Sequence, residues 1–192
     1  MTTDSANVGA SLLLANLLVG QGGRDDARRV LEEITARRPS ALDAQLALAM
    51  LLEDAGHTPE ARARYELVLN DDPGAPVAAY RLAVLYGHDG SSLQDALDLA
   101  RAAQHALPGD PAASDALGWV YIRRNSHQLG LPHLRDSRSR GARQRPLPLP
   151  PWNGANDRKR TEARAELTRA LALDPSFRGA EQARTALASI AR

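Results

Sequence analysis

Apolar residues recur along most of this chain with the spacing of amphipathic helices. Within each predicted helix they fall at i, i+3, i+4 and i+7, as in the stripe that contains Leu93, Leu97 and Ala100, and this spacing places them on one helix face. Turns rich in glycine, proline and polar residues separate the stripes. The pattern predicts helices near residues 8–21, 24–37, 42–55, 59–70, 76–87, 92–106, 111–124, 127–135, 160–173 and 176–191. We therefore expect an all-α fold.

A second pattern marks these helices with a period of about 34 residues. Small residues recur at this interval, each followed twelve residues later by a proline; the pairs are Ala27 with Pro39, Ala61 with Pro73, Ala96 with Pro108 and Ala163 with Pro175. Alanine lets two helices approach closely where a larger side chain would overpack the contact, and proline ends a helix. We expect Ala61 to be buried and the neighbouring Arg62 to be exposed. We also expect left-handed conformations at helix ends for Gly22, Gly23, Gly56 and Gly87.

The motif Leu117-Gly118-Trp119 with Tyr121, and the series Leu48-Ala49, Ala61, Tyr65 and Pro73, are similar to the tetratricopeptide repeat. The resemblance covers nearly the whole chain apart from about residues 137–158. It implies an α-solenoid of stacked antiparallel helix pairs that forms a TPR-like right-handed superhelix. It also implies repeats at 8–41, 42–75, 76–110 and 111–136, followed, after the irregular segment, by the second helix of a fifth repeat and a C-terminal capping helix at 159–192.

The same resemblance implies a scaffold for protein–protein interaction, since members of the family bind peptides on the concave face along the first helix of each repeat. The family's binding positions, carried over one at a time, correspond here to Leu12, Asn16, Leu46, Met50, Tyr80, Val84, Asp115, Trp119 and Ile122. The strip from Met50 through Tyr80 and Val84 to Trp119 is apolar and suits an extended or helical hydrophobic segment. Alternatively, some of these residues pack between repeats. A clamp for a terminal carboxylate is not expected, because Leu12 stands where the family has a cation.

Composition and charge argue against several other classes of function. The chain carries a net charge of +1 and no cysteine, which excludes disulfides and thiolate metal sites and predicts no general attraction to nucleic acid or anionic membrane. The five histidines are scattered without HExxH spacing, and no glycine-rich loop is followed by Lys and Ser/Thr. We therefore expect no enzyme, no cofactor and no metal. The excess of arginine, 23 residues against one lysine, indicates the coding bias of a GC-rich bacterial genome.

No targeting signal is predicted. The apolar run at residues 8–20 lacks the basic start of a signal peptide, since Asp4 precedes it, and it is too short to span a bilayer. The cellular location is therefore unknown and cytoplasmic by default. Because the pattern starts abruptly inside a repeat, we also expect this chain to be a fragment of a longer array. An exported protein is one alternative for the full-length array.

Residues 137–158 interrupt the repeats with arginines and four prolines between Pro146 and Pro151. One interpretation is a basic, irregular linker. Its Pro148-to-Pro151 motif would dock in an aromatic groove, or the arginines of 135–160 would bind nucleic acid or phosphate. The interpretation that we prefer is a segment translated out of frame. If the reading frame is shifted by one base, the codon of Trp152 must encode glycine, and the other codons can encode GNALYHYHLGMAQMTG. That sequence resembles the first helix of a repeat. Lacking a neighbour, Leu167, Leu171 and Leu187 would then dock on the fourth repeat or lie exposed.

Overall fold

A computed structural model of the chain describes residues 2–90 and 92–141, together with Thr168, Arg184 and Leu187, which are each helical. Apart from these three residues, the predicted helices at 160–173 and 176–191 lie outside the described residues. The part of the irregular segment from residue 142 onward also lies outside them.

Residues 2–90 and 92–141 form eight helices and no strand, which confirms the all-α prediction for this part of the chain. The helices are α1 (Thr2–Gly20), α2 (Arg24–Arg37), α3 (Leu42–Asp54), α4 (Thr58–Asp71), α5 (Pro76–Asp89), α6 (Leu93–Ala106), α7 (Pro111–Arg123) and α8 (His127–Gly141). The largest differences from prediction are the start of α1, expected near residue 8, and the end of α8, expected near residue 135. Helix α8 contains Pro132 and continues beyond it. No further proline follows before Pro146, and Arg140 pairs with Asp136 one turn earlier, at 2.7 Å.

Local signals explain several helix ends. The Asp110 carboxylate caps α7 by accepting hydrogen bonds from the backbone N–H groups of Ala112 (2.8 Å) and Ala113 (3.0 Å), which lack partners inside the helix. Pro111 occupies the first turn of α7, where a missing N–H costs nothing. The predicted role of proline after the second helix of a repeat is confirmed, because α2, α4 and α6 each end shortly before Pro39, Pro73 or Pro108.

Two turn glycines differ from the prediction. Gly23, which precedes α2, has a φ of −80° and is therefore not left-handed. Gly22 and Gly56 have the expected positive φ of 84° and 81°, but the residue that ends α5 is Gly90, with φ 72°. Gly87 instead lies inside α5, where it is buried. A Cβ at Gly87 would lie 3.3 Å from Trp119 Nε1. The prediction for Gly87 is therefore wrong, and this glycine serves close packing between helices.

The described helices fall into two compact units. Helices α1 to α3, with Thr168, Arg184 and Leu187, belong to the first, and α4 to α8 belong to the second. In the first unit α2 packs against both α1 and α3. In the second, α5 packs against α4, α6 and α7, and α7 packs against α6 and α8.

Small residues make up much of the core of the second unit. One cluster surrounds Tyr80 with Ala79, Ala103, Ala112, Ala113 and Ala116. A second cluster combines Leu97, Leu117 and Val120 with Ala83, Ala96 and Ala100. Alanine on the facing helices brings their backbones close, and the few large side chains fill the space that remains.

Helices α7 and α8 cross at two glycines. A Cβ on Gly118 would lie 2.8 Å from Leu134 Cγ and 3.0 Å from the Gly130 carbonyl oxygen, and a Cβ on Gly130 would lie 2.7 Å from the Gly118 carbonyl oxygen. Real Cβ atoms essentially never come within 3.0 Å of such neighbours. Gly130 stands 34 residues after Ala96, so it is the small residue of the fourth repeat. A pattern based on alanine alone does not identify it.

Arg62 links α4 to α5 and is not the isolated surface residue that the sequence suggests. Its guanidinium donates to Glu66 Oε1 at 2.8 Å and to Asp89 Oδ2 at 3.0 Å, and it lies 4.5 Å from the centre of the Tyr86 ring. The Tyr86 hydroxyl donates to the same Glu66 oxygen at 3.0 Å. Burial raises the pKa of Tyr86, and the hydrogen bond to Glu66 raises it further. Replacing Arg62 would therefore disturb several side chains at once.

The fully buried Ala61 and the exposed Ala63 on the same helix give a matched test of the close helix contact. We expect Ala61→Leu to lower the free energy of unfolding by about 1–3 kcal/mol, because the extra carbons have no space. Ala63→Leu should change it by less than about 0.5 kcal/mol. Denaturant unfolding of both variants measures the difference, and equal effects would contradict the assignment of Ala61 to a helix contact.

The glycine crossing predicts opposite effects of one substitution at two sites. Gly130→Ala should destabilise the protein by about 1–3 kcal/mol, because its Cβ would meet the Gly118 backbone. Gly9→Ala should stabilise it by about 0.5–1 kcal/mol, because alanine favours a helix and nothing lies within 4 Å of that position. Thermal unfolding monitored by circular dichroism distinguishes them. Stabilisation by Gly130→Ala would show that α7 and α8 do not cross at these glycines.

Candidate partner-binding surface

The predicted binding residues of α5 differ in how far they reach the surface. Tyr80 is only 8% exposed and packs with Ala103 and Ala113 in the core. Val84, one turn further along α5, is half-buried and packs against the same cluster. Tyr80 is therefore a core residue, whereas part of the Val84 side chain remains accessible to a partner.

Among the predicted binding residues that are partly accessible, Trp119 of α7 has the largest side chain. Its ring is half-buried, with its centroid 5.1 Å from that of the His88 ring and 5.9 Å from the Arg123 guanidinium carbon. The Nε1 edge of the indole lies against Gly87, where an added Cβ would be 3.3 Å away. Nε1 is buried and has no hydrogen-bond acceptor in the described part of the chain. One edge of the ring is thus covered, and part of the rest remains accessible.

Arg123 joins this end of α7 to α5. Its Nε donates a hydrogen bond of 2.7 Å to the carbonyl oxygen of Gly87. Residues 119 and 123 are one helical turn apart, so their side chains lie side by side. The bond therefore fixes the guanidinium next to the indole ring. We call Val84, Gly87, His88, Trp119 and Arg123 the Trp119 surface.

The other two predicted residues of α7 have different surroundings. Asp115 is exposed and lies one turn before Trp119. The Cδ1 and Cγ1 atoms of Ile122 would be 3.1 Å from a Cβ on Gly130. Ile122 therefore faces α8 at the glycine crossing, and only Asp115 extends the Trp119 surface.

The remaining predicted residues belong to the unit of α1 to α3. Leu12, Asn16 and Leu46 are half-buried, and Met50 is 1% exposed. The Asn16 side-chain oxygen is buried without a hydrogen-bond donor in the described ranges. Met50 is therefore a core residue in this unit, and the other three retain some surface.

The sequence profile of the tetratricopeptide repeat matches residues 12–76 and again residues 46–111. Together these matches span more than half of the chain. The chain belongs to the tetratricopeptide repeat family. A comparison with the curated proteins finds no match.

Several solved structures of MamA share the helical-repeat fold. MamA 41-end from Desulfovibrio magneticus RS-1 is 15% identical, with a TM-score of 0.60 over 96% of this chain and 93% of that chain. A double mutant of RS-1 MamA is 15% identical, with a TM-score of 0.60 over 97% and 95%. An MSR-1 MamA structure is 22% identical, with a TM-score of 0.56 over 72% and 79%. These identities show similarity of fold alone.

Tetratricopeptide repeats are protein-interaction modules, and two further observations apply to the described residues. They contain no group of three or more His, Asp or Glu side chains that could hold a metal ion. They also contain no helix that is both long and apolar enough to cross a membrane. Of the arginines at 135–160, Arg140 pairs with Asp136 and donates to the Gly109 carbonyl at 3.5 Å. Arg135 and Arg138 are exposed, and the others lie outside the described residues.

Sequence reasoning missed three residues of the Trp119 surface. The sequence pattern assigned Gly87 to a turn at the end of a helix, so it was not expected in a binding surface. Its signal is the lack of a side chain opposite the bulky Trp119 of the next repeat. His88 and Arg123 each follow a binding position directly, so their roles depend on contacts between helices that one repeat does not show.

Proposed function

We propose that this tetratricopeptide repeat protein is a non-catalytic scaffold that binds a peptide segment of a partner protein at the Trp119 surface. Membership of the family supports the general function. The half-buried aromatic ring between two polar side chains supports the location.

The observation that carries this proposal is the fixed position of a partly accessible tryptophan. Gly87, His88 and Arg123 each contact or flank the Trp119 ring. Tryptophan is frequent among residues that dominate binding energy. A ring that is already held in place loses little conformational entropy when a partner covers it.

The charges around the ring indicate the kind of peptide that fits. Asp115, Trp119 and Arg123 follow one another at one-turn intervals along α7. Asp115 and Arg123 are both exposed, and Arg123 makes no ion pair with a described carboxylate. We therefore infer a ligand with an apolar side chain over Trp119 and Val84, an acidic residue towards Arg123 and a basic residue towards Asp115.

A peptide selected against this chain from a random displayed library provides the test. We expect Trp119→Ala to weaken its affinity by about tenfold or more, equivalent to about 1.4 kcal/mol. The matched control is Leu129→Ala, which also truncates an apolar side chain, but one that is 56% exposed on α8. It should change affinity by less than about twofold. Isothermal titration calorimetry gives the affinities, and circular dichroism verifies that both variants remain helical.

Full affinity in Trp119→Ala, or an equal loss in both folded variants, would contradict a site at the Trp119 surface. The half-buried residues Leu12, Asn16 and Leu46 of α1 and α3 would then be the next positions to replace. Selected peptides that carry an acidic, apolar and basic residue in sequence would support the inferred ligand. Their affinity should fall when Arg123 is replaced by glutamate.

A further inference from the structure

Helix α1 carries apolar residues around its whole circumference. Between residues 12 and 19 these are Leu12, Leu13, Leu14, Leu17, Leu18 and Val19, interrupted by Ala15 and Asn16. A helix with one polar face can lie at a surface, whereas a helix that is apolar on all sides needs a covering on all sides. The composition of α1 therefore requires more neighbours than one paired helix supplies.

The structure shows that these side chains are covered. Leu14 is 1% exposed, and the other five large apolar residues are all partly buried. Part of the covering comes from α2, since Val30 packs in the cluster around Leu14 together with Leu17 and Leu18. None of the large hydrophobic side chains that are exposed in the described ranges belongs to α1.

Leu187, far along the chain, packs in this same cluster. It is helical and partly buried, whereas Arg184, three residues earlier and also helical, is exposed. The sequence pattern suggested that Leu187 docks on the fourth repeat or lies exposed, and that prediction is wrong. The leucine lies against α1, which is where an apolar covering is required.

We propose that the α1 face formed by Leu14, Leu17 and Leu18 is an interaction site for a leucine-bearing helical segment of the same chain, the segment that carries Leu187. A segment on the same chain is held at a high effective concentration, so it occupies the site in preference to a second copy at low protein concentration. An outside helix that binds this face of α1 must displace it.

The natural absence of cysteine allows a direct test on the full chain. In the double variant Leu17→Cys with Leu187→Cys, a short bis-maleimide should link the two positions within one molecule at micromolar protein concentration. The two single-cysteine variants, which can only link separate molecules, give the background. We expect a linked monomer, identified by peptide mapping, to form at least about tenfold faster than dimers form in the single variants.

Linked dimers in place of linked monomers would overturn the proposal, because they would show that a second copy occupies the site. Linking of the double variant no faster than that of the single variants would overturn it as well, because the two residues would then not be neighbours.

A second measurement does not depend on added cysteines. Leu187→Asp should raise the hydrogen-exchange rates of α1 amides at least about tenfold, because a buried charge would drive the segment off the helix. Leu129→Asp is the matched control: it makes the same replacement at a helical leucine that is 56% exposed on α8, and it should leave α1 unchanged. Exchange in α5 and α7 should stay constant in both variants. Unchanged α1 exchange in Leu187→Asp, or equal increases in both variants, would overturn the proposal.

Discussion

The close approach of two helices at small residues is the constraint on which the rest of this structure depends. Ala27, Ala61 and Ala96 are completely buried. A Cβ on Gly130 would lie 2.7 Å from the Gly118 carbonyl oxygen, and a Cβ on Gly118 would lie 2.8 Å from Leu134 Cγ. A hydrogen takes the place of the missing Cβ on Gly130, and it points at the Gly118 carbonyl oxygen, an arrangement that allows weak Cα–H···O contacts. Larger side chains at these positions would separate the helices and change every contact further from the crossing.

This packing determines which side chains remain available to a partner. Because Ala103, Ala112, Ala113 and Ala116 are small, the Tyr80 ring fills the space among them and becomes part of the core. Trp119 cannot enter that space and lies instead on Gly87, half-buried beside His88 and Arg123. The accessible aromatic ring is thus a product of the same rule that builds the core: a large side chain on one helix faces a small residue on the next.

The parts of the fold that depend on local sequence were predictable. Helical periodicity, the spacing of alanine and proline, and the Leu117-Gly118-Trp119 motif identify the helices and the family, because each depends on residues within about 34 positions. The burial of Met50 and Tyr80 was not predictable from their repeat positions, since it depends on the size of residues on neighbouring helices. The role of Gly130 does not follow from the alanine pattern, because glycine replaces alanine in that repeat. The network of Arg62, Glu66, Tyr86 and Asp89 joins side chains of two helices. The contact of Leu187 with Leu14 joins distant parts of the chain, where no periodic pattern gives information.

The most direct test of the close-packing constraint is nuclear Overhauser spectroscopy of the glycine α-protons. If α7 and α8 cross backbone to backbone, the Hα protons of Gly118 and Gly130 should give a strong cross-peak, because no side chain separates the two helices at that point. We also expect a cross-peak between Gly118 Hα and the Leu134 methyl groups. This second cross-peak would establish the register of the crossing. If the Gly118–Gly130 cross-peak is absent while α7 and α8 both show helical connectivities, the helices do not meet at these glycines and the constraint proposed for this array is incorrect.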